Sequence, residues 1–219
     1  MCASYGLGGG VYREGEAFGL PPLDEGENRQ KLASWGASRN GKAAITGKNA
    51  LNLNPIIRAD SDGRRSLELA WWWLWLDPSG PVKFSAFNSR DDKLLRSWRK
   101  PFQHRALLPA TWYVEKKGLF HLPGEEVFGI AAVTSTVTRD DGSELTTYSM
   151  VTRDAPAGSE AADYWHRMPL VLPRDMHDDW LDPDRPGDAE LVAQVQHASE
   201  EISEAMTVGN EPPRSSTLF

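Results

Sequence analysis

Val127-Phe128-Gly129-Ile130-Ala131-Ala132-Val133-Thr134-Ser135-Thr136-Val137 precedes Asp140-Asp141-Gly142 and then Glu144-Leu145-Thr146-Thr147-Tyr148-Ser149-Met150-Val151-Thr152. Two runs rich in β-branched and aromatic residues flank an Asp-Gly turn signal, so the stretch predicts two strands joined as a hairpin. Upstream, Arg105–Leu108 and Trp112–Lys116 read as strands around Pro109, and Leu119–His121 as another. Leu67–Leu76 carries Trp71, Trp72, Trp73 and Trp75 in a strand-length apolar run and predicts a buried strand with aromatics on both faces. Cys2–Leu7 predicts an N-terminal strand, and Pro169–Leu172 a short one. Asn52-Leu53-Asn54-Pro55 is a turn-like run, because a proline disfavours a helical residue before it. Helices are expected around Asn28–Trp35 and over Asp175–Trp180 and Ala189–Ile202, and a short helix or helical turn over Lys93–Gln103. Many short strands with a few helices predict an α+β chain that is mostly sheet. No internal repeat or linker divides it, so one domain is expected over 1–210, with a loose tail over 211–219.

The totals narrow the function classes. The chain has 219 residues, 40% of them hydrophobic, with one cysteine and a net charge of −7. A single cysteine excludes an internal disulfide framework, and together with the lack of a leader pattern it points to the cytoplasm. The most apolar run is about half the ~20 residues that span a bilayer, so no membrane partner is expected. The overall acidity speaks against nucleic acid, but Arg90 to Lys117 holds eight Lys or Arg against three acids. That segment is either a basic patch or a solvated face.

Cys2 is the candidate nucleophile. Removal of Met1 would give it a free amine titrating at about 7.7–8.0 beside a thiol at about 8.5, a pair that closes on aldehydes as a thiazolidine. The same terminus can attack an acyl carbon; a lone cysteine is otherwise a small buried hydrophobe. Glu115 interrupts a strand pattern. Facing inward it is a buried carboxylate suited to proton transfer; facing outward it pairs with Lys116 or Lys117. Asn88 and Arg90, two apart on a strand, share a face and can hold an oxyanion or a phosphate. His166 stands beside Arg167 at the entry to an apolar strand, as a reactive imidazole or an ordinary polar turn. His177 and His197 read as surface residues of acidic helices. No metal-ligand cluster, phosphate-binding glycine loop or Gly-x-Ser-x-Gly elbow is present, so no metal or cofactor is expected.

In order and spacing these pieces resemble one known family, the SRAP domain proteins, also called SOS response-associated peptidases or abasic-site processing proteins. The resemblance is carried by Met1-Cys2, the Asn52–Pro55 run, the Trp71–Trp75 strand, and Asn88, Arg90 and Asp92. It continues through Phe102, Arg105, Pro109, Ala110 and Glu115, then Phe128–Ala131, Thr152, Arg167-Met168-Pro169 and Trp180–Pro183. It implies a single α+β domain with a mostly antiparallel, barrel-like β core and peripheral helices.

It further implies autocatalytic, cysteine-peptidase-like removal of Met1. Cys2 then forms a covalent thiazolidine crosslink with the aldehyde of an abasic site in single-stranded DNA, a lyase-like chemistry, on a monomer. Asn88 would position Cys2, Glu115 would shuttle protons, and His166 would polarise the sugar oxygen. Arg90, Arg105 and Arg167 would meet DNA, and Pro55 would lie against a base. The chain departs from the family pattern at Ala3-Ser4, where a Gly and an Arg are usual, and at Trp112, which replaces a Gly. Lys116 replaces the Trp after the Glu, and Trp165 occupies the usual His position, with His166 one residue late. Two other readings are an N-terminal-cysteine amidohydrolase and a non-catalytic single-stranded DNA-binding module on the same fold.

Overall fold

The computed structural model describes residues 2, 4–8, 19–44 and 53–209. Ala3, Asn52 and the expected tail over 211–219 lie outside the described residues. In chain order the first strand is β1 (Ser4–Gly6), followed by α1 (Gly26–Arg39), β2 (Lys42–Ala44), β3 (Leu53–Ala59) and β4 (Arg65–Trp72). Next come β5 (Asn88–Arg90), β6 (Arg105–Ala110), β7 (Trp112–Glu115), β8 (Gly118–His121), β9 (Phe128–Thr138) and β10 (Glu144–Asp154). The chain continues with α2 (Glu160–Tyr164), β11 (Arg167–Pro169), β12 (Val171–Leu172), α3 (His177–Leu181), α4 (Ala189–Glu204) and β13 (Thr207–Gly209). It forms a single α+β domain, mostly sheet.

The hairpin predicted from Val127 to Thr152 forms, with Glu144 paired to Thr138 and Met150 to Ala132. It is the seam of a closed barrel. β10 pairs β4, β4 pairs β3, β3 pairs β6, β6 pairs β9, and β9 returns to β10. A ring of five strands cannot alternate direction at every joint, so one joint must be parallel. It falls between β4 and β10, at Trp71↔Thr147 and Trp72↔Tyr148. A barrel this narrow is filled by side chains. Ile56, Leu108, Ile130, Ala132 and Trp72 are fully buried. Every residue of β6 is buried, because helices and loops cover its outer face; the indole of Trp180 on α3 donates to the Ala106 carbonyl at 2.8 Å.

A second sheet runs β13-β8-β7-β1-β2, all antiparallel. Only Thr111 separates β6 from β7, so the chain crosses from barrel to second sheet through one residue. Thr111 is fixed there by its hydroxyl, which donates to the Gly8 carbonyl (2.7 Å) and accepts from the Gly8 N–H (3.0 Å).

Several expectations change. The tryptophan-rich strand stops at Trp72, because Trp73 adopts a positive φ of 150°. Trp73 N–H then bonds the Tyr148 carbonyl instead of continuing β4. The turn expected at Asn52–Pro55 is strand from Leu53 onward. Pro55 is tolerated because β3 pairs β6 only at Ile57↔Leu107, away from the missing N–H. Of the short helix or helical turn expected over Lys93–Gln103, the turn forms, with 3-10 segments at Asp91–Lys93 and Pro101–Gln103. His177 is buried rather than on the surface. Its Nε2 lies 3.1 Å from the Leu172 carbonyl, and burial pushes its pKa down to about 4. No helix among the described residues is long and apolar enough to cross a membrane.

Arg105 also takes a different part from the one expected. It is buried, and its guanidinium donates to the carbonyls of Trp180 (2.6 Å), Phe102 (3.0 Å), Asp182 (2.6 Å) and Arg185 (2.6 Å). Those bonds clamp the turn after α3 to the barrel and leave no surface cation for DNA. Arg105→Met should therefore lower stability by about 2–4 kcal/mol in urea titration, since several acceptors lose their donor. An unchanged midpoint with weakened DNA binding would return Arg105 to the DNA surface.

Candidate active site

Residue 2 is placed by its strand. β1 lies between β2 and β7, with Tyr5 opposite Ala43 and Tyr113. The Tyr5 ring anchors the strand to the barrel. Its hydroxyl meets that of Tyr148 at 2.8 Å, and it packs edge-on against Trp72 at 5.2 Å. Trp72 is stacked on Tyr148, and its indole donates to the Phe87 carbonyl at 2.8 Å, one residue before Asn88. β5 runs parallel to β10, with Asn88 beside Met150, and the Ser89 hydroxyl donates to that of Ser149 at 2.7 Å. This places the Asn88 amide 2.8 Å from the Cys2 carbonyl, to which it donates.

Glu115, at the end of β7, faces inward and is 3% exposed. Its charge acts on Cys2. The site thus brings together three of the four side chains singled out for chemistry: Cys2, Asn88 and Glu115. The carbonyl oxygen of Asn88 has no hydrogen-bond partner among the described residues. Beside the amide that grips Cys2 it leaves an acceptor available.

The thiol differs from the sequence expectation. Cys2 is fully buried, and its Sγ lies 3.4 Å from the Ser4 carbonyl. Burial, reinforced by the Glu115 charge, pushes the thiol up to about 12, against the lowering effect of the Ser4 contact. With Met1 attached, Cys2 is a neutral thiol at neutral pH and its nitrogen is an amide.

The remaining expected residues fall elsewhere. His166 is exposed, with its ring against Trp165 at 4.3 Å, and no hydrogen bond or ion pair joins it to Cys2 or Glu115 among the described residues. Trp165 has extended backbone angles, so neighbours there diverge. Trp165 instead lies under the ammonium of Lys116, the residue after Glu115, at 3.7 Å. The imidazole role expected of His166 is not what this geometry provides. Arg167 is buried rather than offered to DNA. Its terminal nitrogens bind Asp91 (2.9 Å), Asp154 (2.8 Å) and the Thr152 carbonyl, joining β11, β10 and the turn after β5. Pro55 is buried within β3, so it presents no face to a base. Arg90 is exposed and forms a two-pronged pair with Asp92 at 2.8 Å.

Sequence reasoning passed over Tyr5, Trp72, Tyr148 and Tyr113. The spacing of Tyr113, two before Glu115 on a strand, is the signal that was legible. No group of three or more His, Cys, Asp or Glu among the described residues could hold a metal ion. A groove of about 640 Å³ between α1 and the β3–β4 pair, lined by Lys31, Trp35 and Leu69, contains none of the site side chains.

The family model of the SOS response associated peptidases (SRAP) matches residues 27–211, beginning after Cys2. Among solved structures, a protein from Bordetella bronchiseptica has a TM-score of 0.62 at 17% identity, covering 95% of this chain and 98% of that one. A protein from Bacteroides thetaiotaomicron has a TM-score of 0.59 at 18% identity, over 99% and 98%. A phage-related protein from Bordetella bronchiseptica has a TM-score of 0.52 at 19% identity, over 72% and 76%. At these identities the likeness is one of fold. A search of curated proteins found no match. With the family model spanning most of its length, the chain belongs to the SOS response associated peptidase family.

Proposed function

We propose that this protein traps abasic sites in single-stranded DNA covalently through Cys2, after removal of Met1. The observation that carries the reading is the 2.8 Å bond from Asn88 to the Cys2 carbonyl, which holds residue 2 beside the buried Glu115. Membership of the SRAP family supports it.

The chemistry balances as follows. Water cleaves the Met1–Cys2 amide, giving free methionine and an amine on residue 2. That amine adds to the aldehyde of the ring-opened sugar, and loss of water gives an imine. The thiol then adds across the C=N bond: sulfur bonds to carbon and the S–H proton ends on nitrogen, closing a five-membered thiazolidine. Glu115 carries the two amine protons in turn, the first to the alkoxide as the carbinolamine forms and the second to the hydroxyl as it leaves as water. Cleavage also activates the thiol, because a cationic amine on the adjacent carbon pulls down a pKa that burial had raised. The aldehyde must reach a residue that is fully buried while Met1 is attached. The reading therefore requires the start of the chain to open when Met1 leaves.

The DNA path in this reading follows the segment after Asn88. Arg90, Arg96, Arg99 and Lys100 are exposed there, and exposed Phe84 packs on Trp98 at 5.8 Å, a cationic run with an aromatic surface. Arg90 is held by Asp92 in an exposed pair, which is weak enough for a phosphate to replace the carboxylate.

Two outcomes follow. Purified protein mixed with abasic single-stranded DNA should give a heat-stable protein–DNA band, and its intact mass should lack Met1. Cys2→Ala should abolish the band, and Asn88→Ala should slow its formation by about tenfold or more. No band from the natural protein contradicts the reading, and retained Met1 would favour a non-catalytic DNA-binding module. Second, Arg90→Ala should weaken binding and reduce the slope of log affinity against log salt by about one. An unchanged slope would remove Arg90 from the phosphate path.

A further inference from the structure

Tyr113 is fully buried on β7, two residues before Glu115. Residues two apart on a strand share a face, so its ring enters the same side of the sheet as the carboxylate. Phe120, its cross-strand partner on β8, stacks on that ring at 5.0 Å and 11° and fixes its direction. On the other flank the opposite residue is Tyr5, whose hydroxyl is taken by Tyr148. The Tyr113 hydroxyl, by contrast, has no hydrogen-bond partner among the described residues. A buried hydroxyl without a partner is costly, and such a group calls for an explanation. Phenylalanine would stack on Phe120 equally well without that cost. Burial, together with the charges of Cys2 and Glu115, holds this hydroxyl protonated far above neutral pH. It can therefore act as a hydrogen-bond donor and not as a base.

We propose that Tyr113 is a further catalytic residue of the Cys2 site, its hydroxyl donating to the aldehyde oxygen while the Cys2 amine adds. The inference rests on the aldehyde-trapping reading above. As the C–N bond forms, the carbonyl π electrons move to oxygen, and the tyrosine hydrogen bond meets that developing charge. Tyr113 keeps its proton; the proton that oxygen finally takes comes from the amine by way of Glu115.

The test is Tyr113→Phe, read three ways. Crosslinking is followed at saturating abasic single-stranded DNA. Affinity is measured on the same oligonucleotide with a tetrahydrofuran abasic analogue, which has no aldehyde. Thermal melting reports on packing. The expected result is a crosslinking rate lower by about tenfold or more, affinity within about twofold, and a Tm that is unchanged or higher. An unchanged rate would overturn the role of Tyr113. So would a lower rate accompanied by a lower Tm and restored on cooling, which would make Tyr113 a packing residue. If the natural protein forms no crosslink, the trapping reading fails and this inference with it; equal crosslinking by both proteins removes Tyr113 alone.

Discussion

Tyr5 leaves β1 and meets Tyr148 of β10 hydroxyl to hydroxyl at 2.8 Å, with Trp72 stacked on Tyr148 and edge-on to Tyr5. Three rings from three strands thus join the second sheet to the barrel. Each polar atom that they bury finds a partner, including the Trp72 indole on the Phe87 carbonyl. The contact has two results. It fixes the strand that carries residue 2, and it fixes the backbone that leads into Asn88. A three-residue strand has little stability by itself, so the position of Cys2 is inherited from this aromatic joint and from pairing with β2 and β7.

The barrel's odd strand number requires one parallel contact, and the aromatic joint sits beside it. The obligatory parallel contact, β4 against β10, covers only Trp71 and Trp72. Trp73 then turns away at positive φ, and the chain returns as β5 to continue parallel along β10, from Met150 to Thr152. One strand thus receives β4 and then β5, and Asn88 arrives beside the tyrosine pair. Below it, the buried Arg167–Asp91 ion pair locks the turn that follows β5. Removing one partner of such a pair is costly. The same burial that makes these contacts strong keeps the Cys2 thiol neutral.

Much of this was legible in the residues. The β9–β10 hairpin, the strands around Pro109 and the helix at Ala189 follow from periodicity and turn chemistry, and the inward Glu115 was one of two open readings. What periodicity could not supply was the partner of each group. Arg105 and Arg167 look like DNA contacts in sequence, yet both are spent on carbonyls and carboxylates that lie 75 residues or more away along the chain for Trp180 and Asp91. Trp165 and His166 could be ordered only once the extended backbone at 165 was known. The Trp71–Trp75 run reads as one strand because nothing local signals the positive φ at Trp73.

Central to this account is that Met1 decides whether Cys2 is inert or reactive. Iodoacetamide labelling of Cys2 at pH 7.5 tests this directly, on one chain that retains Met1 and on one cut from a fusion so that Cys2 comes first. The account predicts slow labelling of the first and labelling at least about tenfold faster in the second, as a buried thiol near 12 gains an adjacent cation. Equal rates in the two chains would contradict it.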